Sequence, residues 1–285
     1  MQILVHLGLN KCASTYIQQA LAAAQVGLRR QGVFCAVEGG RPAQYGLSRH
    51  YGFGPDVDGV TPRSLAWLMA EASKRHCTRL IVSSEYLSLC HPEAIAAFAA
   101  DLEALGADAG FLISSRELVP WLHSLFNQYV KTVDSGPHFR SINAFIDHVL
   151  ANGAIDIARR YQAWAKAVGV ARLAHHHIAF GQPPEDVLTP FSDFAGMPIA
   201  PAVAHDGNRS LSAGALYLTG LIRQAVPTPG RDRLLARIAA SDCAWVPVPA
   251  GFLKIGPEHM ARLEDEIATP FAALPRANLP VSTAA

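Results

Sequence analysis

Residues 3–18 read ILVHLGLNKCASTYIQ, and this stretch decides the fold of the chain. The apolar run Ile3–Val5 predicts a strand, Gly8 permits a sharp turn after it, and helical spacing follows over residues 15–30. The free N–H groups at the start of a helix and its positive dipole end point into such a turn. A strand that turns directly into a helix can therefore hold a phosphate group.

Polar side chains in the turn strengthen this interpretation. Lys11 supplies a fixed positive charge, and Ser14 and Thr15 are expected to cap a helix that begins near Tyr16. The lysine precedes both hydroxyls, so the G-x-x-x-x-G-K-[ST] order of nucleotide triphosphatases is absent. The stretch predicts a phosphate-binding loop of another type.

A second strand-to-helix segment lies further along the chain. Phe111–Ile113 is apolar, helical spacing begins at Glu117, and Arg116 lies between them. This is the carboxyl edge of a parallel sheet, where open α/β folds place their ligands. A guanidinium there can bind phosphate through two hydrogen bonds, and Ser124 on the next helix can add a third. The alternative is a surface ion pair between Arg116 and Glu117 or Asp147.

Together the two segments resemble sulfotransferases that use 3′-phosphoadenosine 5′-phosphosulfate (PAPS), most closely their bacterial branch. The first is similar to the family's 5′-phosphosulfate loop, roughly Lys-(Ser/Thr)-Gly-(Ser/Thr)-Thr-(aromatic). Arg116 and Ser124 have the spacing of its 3′-phosphate motif. The resemblance covers roughly residues 1–220 and implies that six loop residues bind the donor: Lys11, Cys12, Ala13, Ser14, Thr15 and Tyr16. Ala13 replaces the family's usual glycine, and alanine is disfavoured if the turn needs a positive φ.

Glu85 follows the apolar strand Leu80–Val82, at the same predicted edge of the sheet. Transfer of a sulfuryl group to a hydroxyl needs a base close to the acceptor proton, and many sulfotransferases place a His or Glu at a comparable position. We therefore expect Glu85 to be that base. A structural or substrate-positioning role is the alternative, and His50, His91 and His123 are the competing bases.

Other reactive side chains receive more modest interpretations. His6 is expected to be a packed strand histidine, and Cys12 a structural residue, although a thiolate is favoured at a helix start. In a strand the side chains of His175–His177 alternate between faces, so no metal site is expected there. The segment Asn208–Ser212 is similar to the family's Asn-x-Ser-Leu segment. The family's Arg-Lys-Gly motif is absent, and the resemblance makes Arg209 a further 3′-phosphate ligand.

Composition points to a soluble globular protein. Of the 285 residues, 50% are hydrophobic and 16% charged, and the net charge is +1, so nucleic acid and membrane surfaces are not expected partners. The five cysteines are scattered without a C-x-x-C pair, and no basic leader or span-length apolar run is present. These observations favour the cytoplasm.

Strands alternate with helices along the chain, which predicts one α/β domain over residues 1–285. We expect a P-loop-like three-layer fold with a central parallel sheet flanked by helices. Residues 38–62 hold six Gly and three Pro and are predicted to be a long loop, suited to an acceptor pocket. Residues 275–285 are expected to form a loose tail.

The resemblance implies transfer of a sulfuryl group from PAPS to a hydroxyl or amine, without a metal. The acceptor stays open among glycans, lipid-linked sugars, phenols and small alcohols. One alternative is a kinase that uses the same phosphate cradle, with Glu85 serving Mg²⁺. Another is a non-catalytic module that binds nucleotide or carbohydrate.

Overall fold

The computed structural model describes residues 1–37, 44–52, 60–132, 136–179, 181–201, 211–226, 228–241, 243 and 245–269. Contacts between Cα atoms divide the chain into two compact units. The first unit holds the described residues of 1–117 and 159–201, and the second those of 118–158 and 211–269. One domain over 1–285 stays a prediction, and the expected tail lies outside the described residues.

A five-stranded parallel sheet forms the centre of the first unit. Its strands are β1 (Gln2–Gly8), β2 (Val33–Cys35), β3 (Arg79–Ser83), β4 (Asp108–Arg116) and β5 (Leu173–Ile178). Their order is β2-β3-β1-β4-β5. The central strand β1 pairs with β3 and β4, so Val5 lies opposite Val82 on one side and Phe111 on the other. An α/β fold with an all-parallel sheet flanked by helices is thus confirmed.

The helices have the following bounds. They are α1 (Ser14–Ala23), α2 (Gln25–Arg30), α3 (Tyr45–His50), α4 (Leu65–Lys74), α5 (Pro92–Ala104), α6 (Leu118–Thr132), α7 (Ile142–Ala151), α8 (Ile157–Val168), α9 (Pro184–Ala195), α10 (Ala213–Ala225), α11 (Thr228–Ala240) and α12 (Pro257–Leu263). Short 3₁₀ helices span Glu85–Leu89, Pro137–Phe139 and Val170–Arg172, and a π-helical turn spans Glu264–Ala268. Among the described residues, every helix is too short or too polar to cross a lipid bilayer.

Apolar side chains on both faces of the sheet are buried under helices. On one face Leu4 and its neighbours pack against α1, α2 and α9 in a single cluster. On the other face Phe111 contacts Trp164 of α8 and Phe98 of α5, with ring centroids 5.3 and 6.2 Å apart. Trp164 is 1% exposed and is part of the core. Burial on both faces is why the strands read as continuous apolar runs.

All the regular secondary structure in the described part of the second unit is helical. Aromatic rings form much of its core, with Phe126 of α6 5.3 Å from Phe145 of α7 and 5.7 Å from Phe252, between ring centroids. Tyr129 and Tyr217 extend the same cluster, at 5.1 Å from Phe145 and 5.2 Å from Phe252. These helices match the periodic patterns of the sequence closely, because their apolar stripes are long and regular.

Two helices differ from the sequence prediction. Within the predicted loop 38–62 only residues 44–52 and 60–62 are described, and they include helix α3. Helix α9 was absent from the prediction, although Val187, Leu188 and Phe191 repeat at helical spacing. Pro190 inside α9 obscured the pattern, because proline usually ends a helix.

Candidate functional site

The turn between β1 and α1 has an uncommon backbone. Lys11 and Ala13 have positive φ angles of 67° and 59°, whereas Cys12 between them does not. Residues that alternate between left- and right-handed conformations direct successive N–H groups into one concavity, and such concavities bind anions. The turn does need a positive φ at position 13, where alanine replaces the favoured glycine.

The predicted capping of α1 by Ser14 and Thr15 is wrong. The helix begins at Ser14, Ala13 is the N-cap residue, and no side chain caps the helix. Ser14 instead donates its hydroxyl to Oε2 of Glu85, at 2.7 Å. No capping side chain therefore accepts a hydrogen bond from the first N–H groups of α1, and these groups point toward the loop between β1 and α1.

Gly8 serves close packing rather than the turn. It is the last residue of β1, and its φ is not in the positive range. A Cβ at this position would lie 2.9 Å from Cε1 of His6 and 3.2 Å from Cβ of Ser14. The main chain here can approach both side chains only because Gly8 has none.

Glu85 lies beside this turn, two residues beyond the end of β3. It is the first residue of a 3₁₀ helix and is half-buried. Ser88 in the same helix donates its hydroxyl to the carbonyl of Gly8, at 3.2 Å. The hydrogen bond from Ser14 places the Glu85 carboxylate beside the turn, and Ser88 links the 3₁₀ helix to the main chain at the end of β1.

Lys11 and Glu85 also interact electrostatically. Partial burial lowers the pKa of Lys11, and the nearby Glu85 charge acts in the opposite direction. A half-buried ammonium group beside a carboxylate is a polar pair in a partly dry environment, where charges act more strongly than in water. The sequence placed both residues at one sheet edge, and the structure brings them together.

Arg116 reaches the same turn from the other side. It is the last residue of β4, and its Nη1 donates to the carbonyl of Lys11 at 3.4 Å. In this position the guanidinium is half-buried next to the turn. The alternative partner Asp147 is instead paired with Arg262 in the second unit, at 2.6 Å.

Cys12 is a structural thiol. It is 1% exposed, and burial raises its pKa to about 12, although the charge and main chain of Arg116 oppose this shift. The favoured thiolate at this helix start is therefore wrong for Cys12, because desolvation outweighs the helix dipole. Its expected structural role is consistent with this burial.

The direction of the chain connections changes between β1 and β4. From β1 the chain goes on to β2 on one side of the sheet, and from β4 it goes on to β5 on the other side. Ligands of open α/β sheets bind outside the carboxyl ends of two neighbouring strands whose connections part in this way. The turn at Lys11 follows the carboxyl end of β1, and Arg116 is the last residue of β4.

His6 lies in β1, two residues before its carboxyl end, and is fully buried. Its Nδ1 is 2.8 Å from the hydroxyl of Ser83, and its Nε2 is 2.9 Å from the hydroxyl of Ser114. Burial, with a smaller contribution from His176, lowers the pKa of His6 to about 3. The expected packed strand histidine is therefore confirmed, and it is neutral at physiological pH.

Two residues predicted to bind PAPS are not among the contacts described above. Ser124 is half-buried on α6 in the second unit, and its pairing with Arg116 stays a prediction. Arg209 lies outside the described residues. Thr15 and Tyr16 are in the first turn of α1, where Thr15 is exposed and Tyr16 donates its hydroxyl to the carbonyl of Pro184 at 3.1 Å.

The competing histidines occupy three separate places. His50 is exposed at the end of α3 and lies against Tyr51, with ring centroids 5.0 Å apart. His91 is the exposed N-cap residue of α5. His123 is half-buried in the second unit, and burial lowers its pKa. None of the hydrogen bonds described for Glu85 involves these rings.

Two members of the histidine triplet bracket a serine. Ser115 Oγ is 2.6 Å from Nε2 of His175 and 3.4 Å from Nδ1 of His177, as expected for residues on one face of a strand. His176 points to the opposite face. Within the described part of the chain, no group of three or more His, Cys, Asp or Glu side chains is arranged to hold a metal ion.

The sequence did not predict two buried polar residues that hydrogen-bond the chain just before Glu85. Gln44 is fully buried, donates to the carbonyl of Ala36 at 2.5 Å, and accepts from the main chain of Ser83. Ser48 on α3 hydrogen-bonds Ser84 at 2.7 Å. The glycine- and proline-rich composition around these residues carries no signal for either contact.

Comparison of the chain with protein-family models, curated proteins and solved structures finds no match. The site is therefore defined by its own geometry. One edge of the sheet carries the turn with two positive φ angles, its lysine, an arginine on one side and a carboxylate on the other.

Proposed function

We propose that this protein is a PAPS-dependent sulfotransferase with a P-loop-like fold. The observation that carries the proposal is the convergence of Lys11, Glu85 and Arg116 at the turn after β1. The turn's alternating backbone and the uncapped start of α1 suit a phosphosulfate. Arg116 suits the 3′-phosphate, whose presence distinguishes this donor from ATP.

The residues have distinct roles in the proposed reaction. Glu85 takes the proton of the acceptor hydroxyl or amine as its oxygen or nitrogen bonds to sulfur. The bond between sulfur and the phosphate oxygen breaks, and adenosine 3′,5′-bisphosphate leaves. Lys11 and the amides of residues 12–15 stabilise the negative charge that grows on that oxygen.

The position of Glu85 supports its role as base. Its carboxylate is fixed by the 2.7 Å hydrogen bond from Ser14 and is half-buried beside the turn. A base must lie within hydrogen-bond reach of the proton that it removes, and a fixed carboxylate keeps that distance constant. Ser124 and Arg209 remain proposed ligands of the 3′-phosphate.

A kinase is a second candidate, because the contact of Ser14 with Glu85 favours it. In P-loop nucleotide triphosphatases a loop hydroxyl and a strand-end carboxylate hold Mg²⁺ together. Here the two oxygens are 2.7 Å apart. A Mg²⁺ ion inserted between them would convert the same turn into a site for ATP.

Calorimetry with adenosine 3′,5′-bisphosphate, AMP and ATP, each with and without Mg²⁺, tests both candidates. A sulfotransferase should bind the bisphosphate without metal and about tenfold to a hundredfold more tightly than AMP, since one charge-assisted phosphate clamp contributes about 1.5–3 kcal/mol. Equal binding of the bisphosphate and AMP would overturn the proposal. Tight binding of ATP only with Mg²⁺ would support the kinase.

A further inference from the structure

We propose that His6 is a positioning residue that fixes the spacing of Glu85, Lys11 and Arg116 by hydrogen-bonding the ends of β3 and β4. It acts from beneath the site and does not touch the bound molecules. The inference rests on the proposed function for its effect on catalysis. Its structural part stands on the geometry of the first unit alone.

The two hydrogen bonds of the imidazole are arranged symmetrically about β1. Nδ1 contacts Ser83, two residues before Glu85, and Nε2 contacts Ser114, two residues before Arg116. A neutral imidazole has one N–H donor and one acceptor nitrogen, and a serine hydroxyl can play either part. One ring therefore links three adjacent strands through their side chains, in addition to their main-chain ladder.

The same ring also supports the phosphate-binding turn. A Cβ on Gly8 would lie 2.9 Å from Cε1 and 3.1 Å from Nε2 of His6, so the main chain at the end of β1 rests directly on the imidazole. On another side the ring meets Phe191 of α9 edge-on, with centroids 5.2 Å apart. Strand, turn and helix thus enclose the ring, and it is fully buried.

A purely apolar core position would be filled more simply by leucine or phenylalanine. A buried polar ring is costly unless its hydrogen bonds are satisfied, and here both ring nitrogens have partners. Satisfied buried polar groups accept only one arrangement of their partners, and this rigidity is what a site built on three strand ends needs.

Hydrogen–deuterium exchange on the full chain tests this role without any ligand. Ser83→Ala should speed exchange about tenfold in the segment 84–89, and Ser114→Ala should do so in the segment 115–117, because each removes one link of about 1 kcal/mol or more. His6→Phe keeps the ring against Phe191 and should speed exchange in both segments and in residues 9–15. Exchange in α4 should not change, which makes that helix the internal control.

Two results would overturn the proposal. One is a uniform rise of exchange throughout the first unit, which indicates a general loss of stability. The other is unchanged exchange at both strand ends in the serine variants. If His6→Phe does not fold, the two serine variants still decide between these outcomes.

A binding measurement separates this inference from the proposed function. Ser114→Ala should weaken adenosine 3′,5′-bisphosphate binding severalfold, whereas Ser83→Ala should leave it unchanged and lower the rate of sulfuryl transfer. If the unaltered protein binds no bisphosphate, the sulfotransferase proposal fails while the exchange pattern still decides the role of His6. If both serine variants lose affinity and rate equally, separate positioning of the two strand ends is wrong.

Discussion

The ends of β3 and β4 have nearly the same sequence and opposite charges. β3 ends in Ser83 and is followed by Ser84 and Glu85, and β4 ends in Ser114, Ser115 and Arg116. Both strands flank β1, and the first serine of each contacts a nitrogen of the same imidazole. The scaffold on the two sides of the turn between β1 and α1 is therefore alike.

The residue after the two serines makes the two sides different. Arg116 offers a permanent positive charge with planar donors, which suits a phosphate. Glu85 offers an acceptor for a proton and receives the Ser14 hydroxyl. Under the proposed function, the two equivalent strand ends divide the reaction between them: the β4 side binds an anion, and the β3 side receives a proton. The following predictions test that division.

The largest effect is expected on the Glu85 side. Glu85→Gln keeps the size of the side chain and removes its ability to take a proton, and loss of a general base typically lowers turnover by about 10²–10⁴-fold. Turnover should fall by that factor in a labelled-sulfate transfer assay, with adenosine 3′,5′-bisphosphate binding near normal. The exposed Glu93→Gln is the matched control and should behave as the unaltered protein. Loss of nucleotide binding in Glu85→Gln would make this side part of the anion site.

Arg116→Ala should act on affinity rather than on the proton step. Removal of one charge-assisted clamp costs about 1.5–3 kcal/mol, so the bisphosphate should bind about tenfold to a hundredfold more weakly and no better than AMP. Calorimetry measures both ligands, and the exposed Arg172→Ala is the matched control. An Arg116→Ala protein that still prefers the bisphosphate would contradict the assignment of the anion to the β4 side.

The shared imidazole predicts a pH dependence of stability. The pKa of His6 is lowered to about 3 in the folded protein, below the 6.5 of an unperturbed histidine. Below pH 6.5 His6 is protonated in the unfolded chain but stays neutral in the folded protein, so the free energy of unfolding decreases as the pH falls. Between pH 7 and pH 5 this loss amounts to about 2 kcal/mol.

Urea denaturation at the two pH values measures that loss. His6→Gln lacks the titrating ring. Between pH 7 and pH 5 its free energy of unfolding should fall by about 2 kcal/mol less than that of the unaltered protein, because the other histidines contribute equally in both proteins. Identical pH dependence in the two proteins would show that His6 has the same pKa in the folded protein as in the unfolded chain.

The smallest effect concerns the turn between the two strand ends. Ala13 has a φ of 59°, a conformation that costs a non-glycine residue about 1–2 kcal/mol. Ala13→Gly relieves this cost but gains backbone entropy in the unfolded chain, so the free energy of unfolding should rise by up to about 1 kcal/mol. Ala20→Gly, in the middle of α1, is the control and should lower it by about 1 kcal/mol. Equal destabilisation by both variants would contradict the strain at Ala13.

Much of the sheet was predictable from local pattern. Ile3–Val5, Leu80–Val82 and Phe111–Ile113 form the centres of β1, β3 and β4, because strands buried on both faces read as apolar runs. The structure extends each strand at both ends, where polar residues interrupt the run. The edge at which Lys11, Glu85 and Arg116 meet followed from the rule that ligands bind at the carboxyl ends of parallel strands.

Errors arose where a side chain had a distant partner. Ser14 looked like a helix cap because its position fits the local pattern, but its hydroxyl donates to a carboxylate 71 residues away. At Cys12 a helix start favours a thiolate, but burial raises the pKa of this thiol to about 12. In both cases a contact or an environment built by other elements outweighed the local preference.

The sequence by itself determined the α/β class, the parallel strands and the edge that carries the charged residues, because these depend on hydrophobic period and strand–helix alternation along the chain. Only the tertiary structure decided that Glu85 receives a hydrogen bond from Ser14 and that His6 joins Ser83 to Ser114. These contacts span 71 to 108 residues of chain, and no local periodicity records which distant side chains the strand order brings side by side.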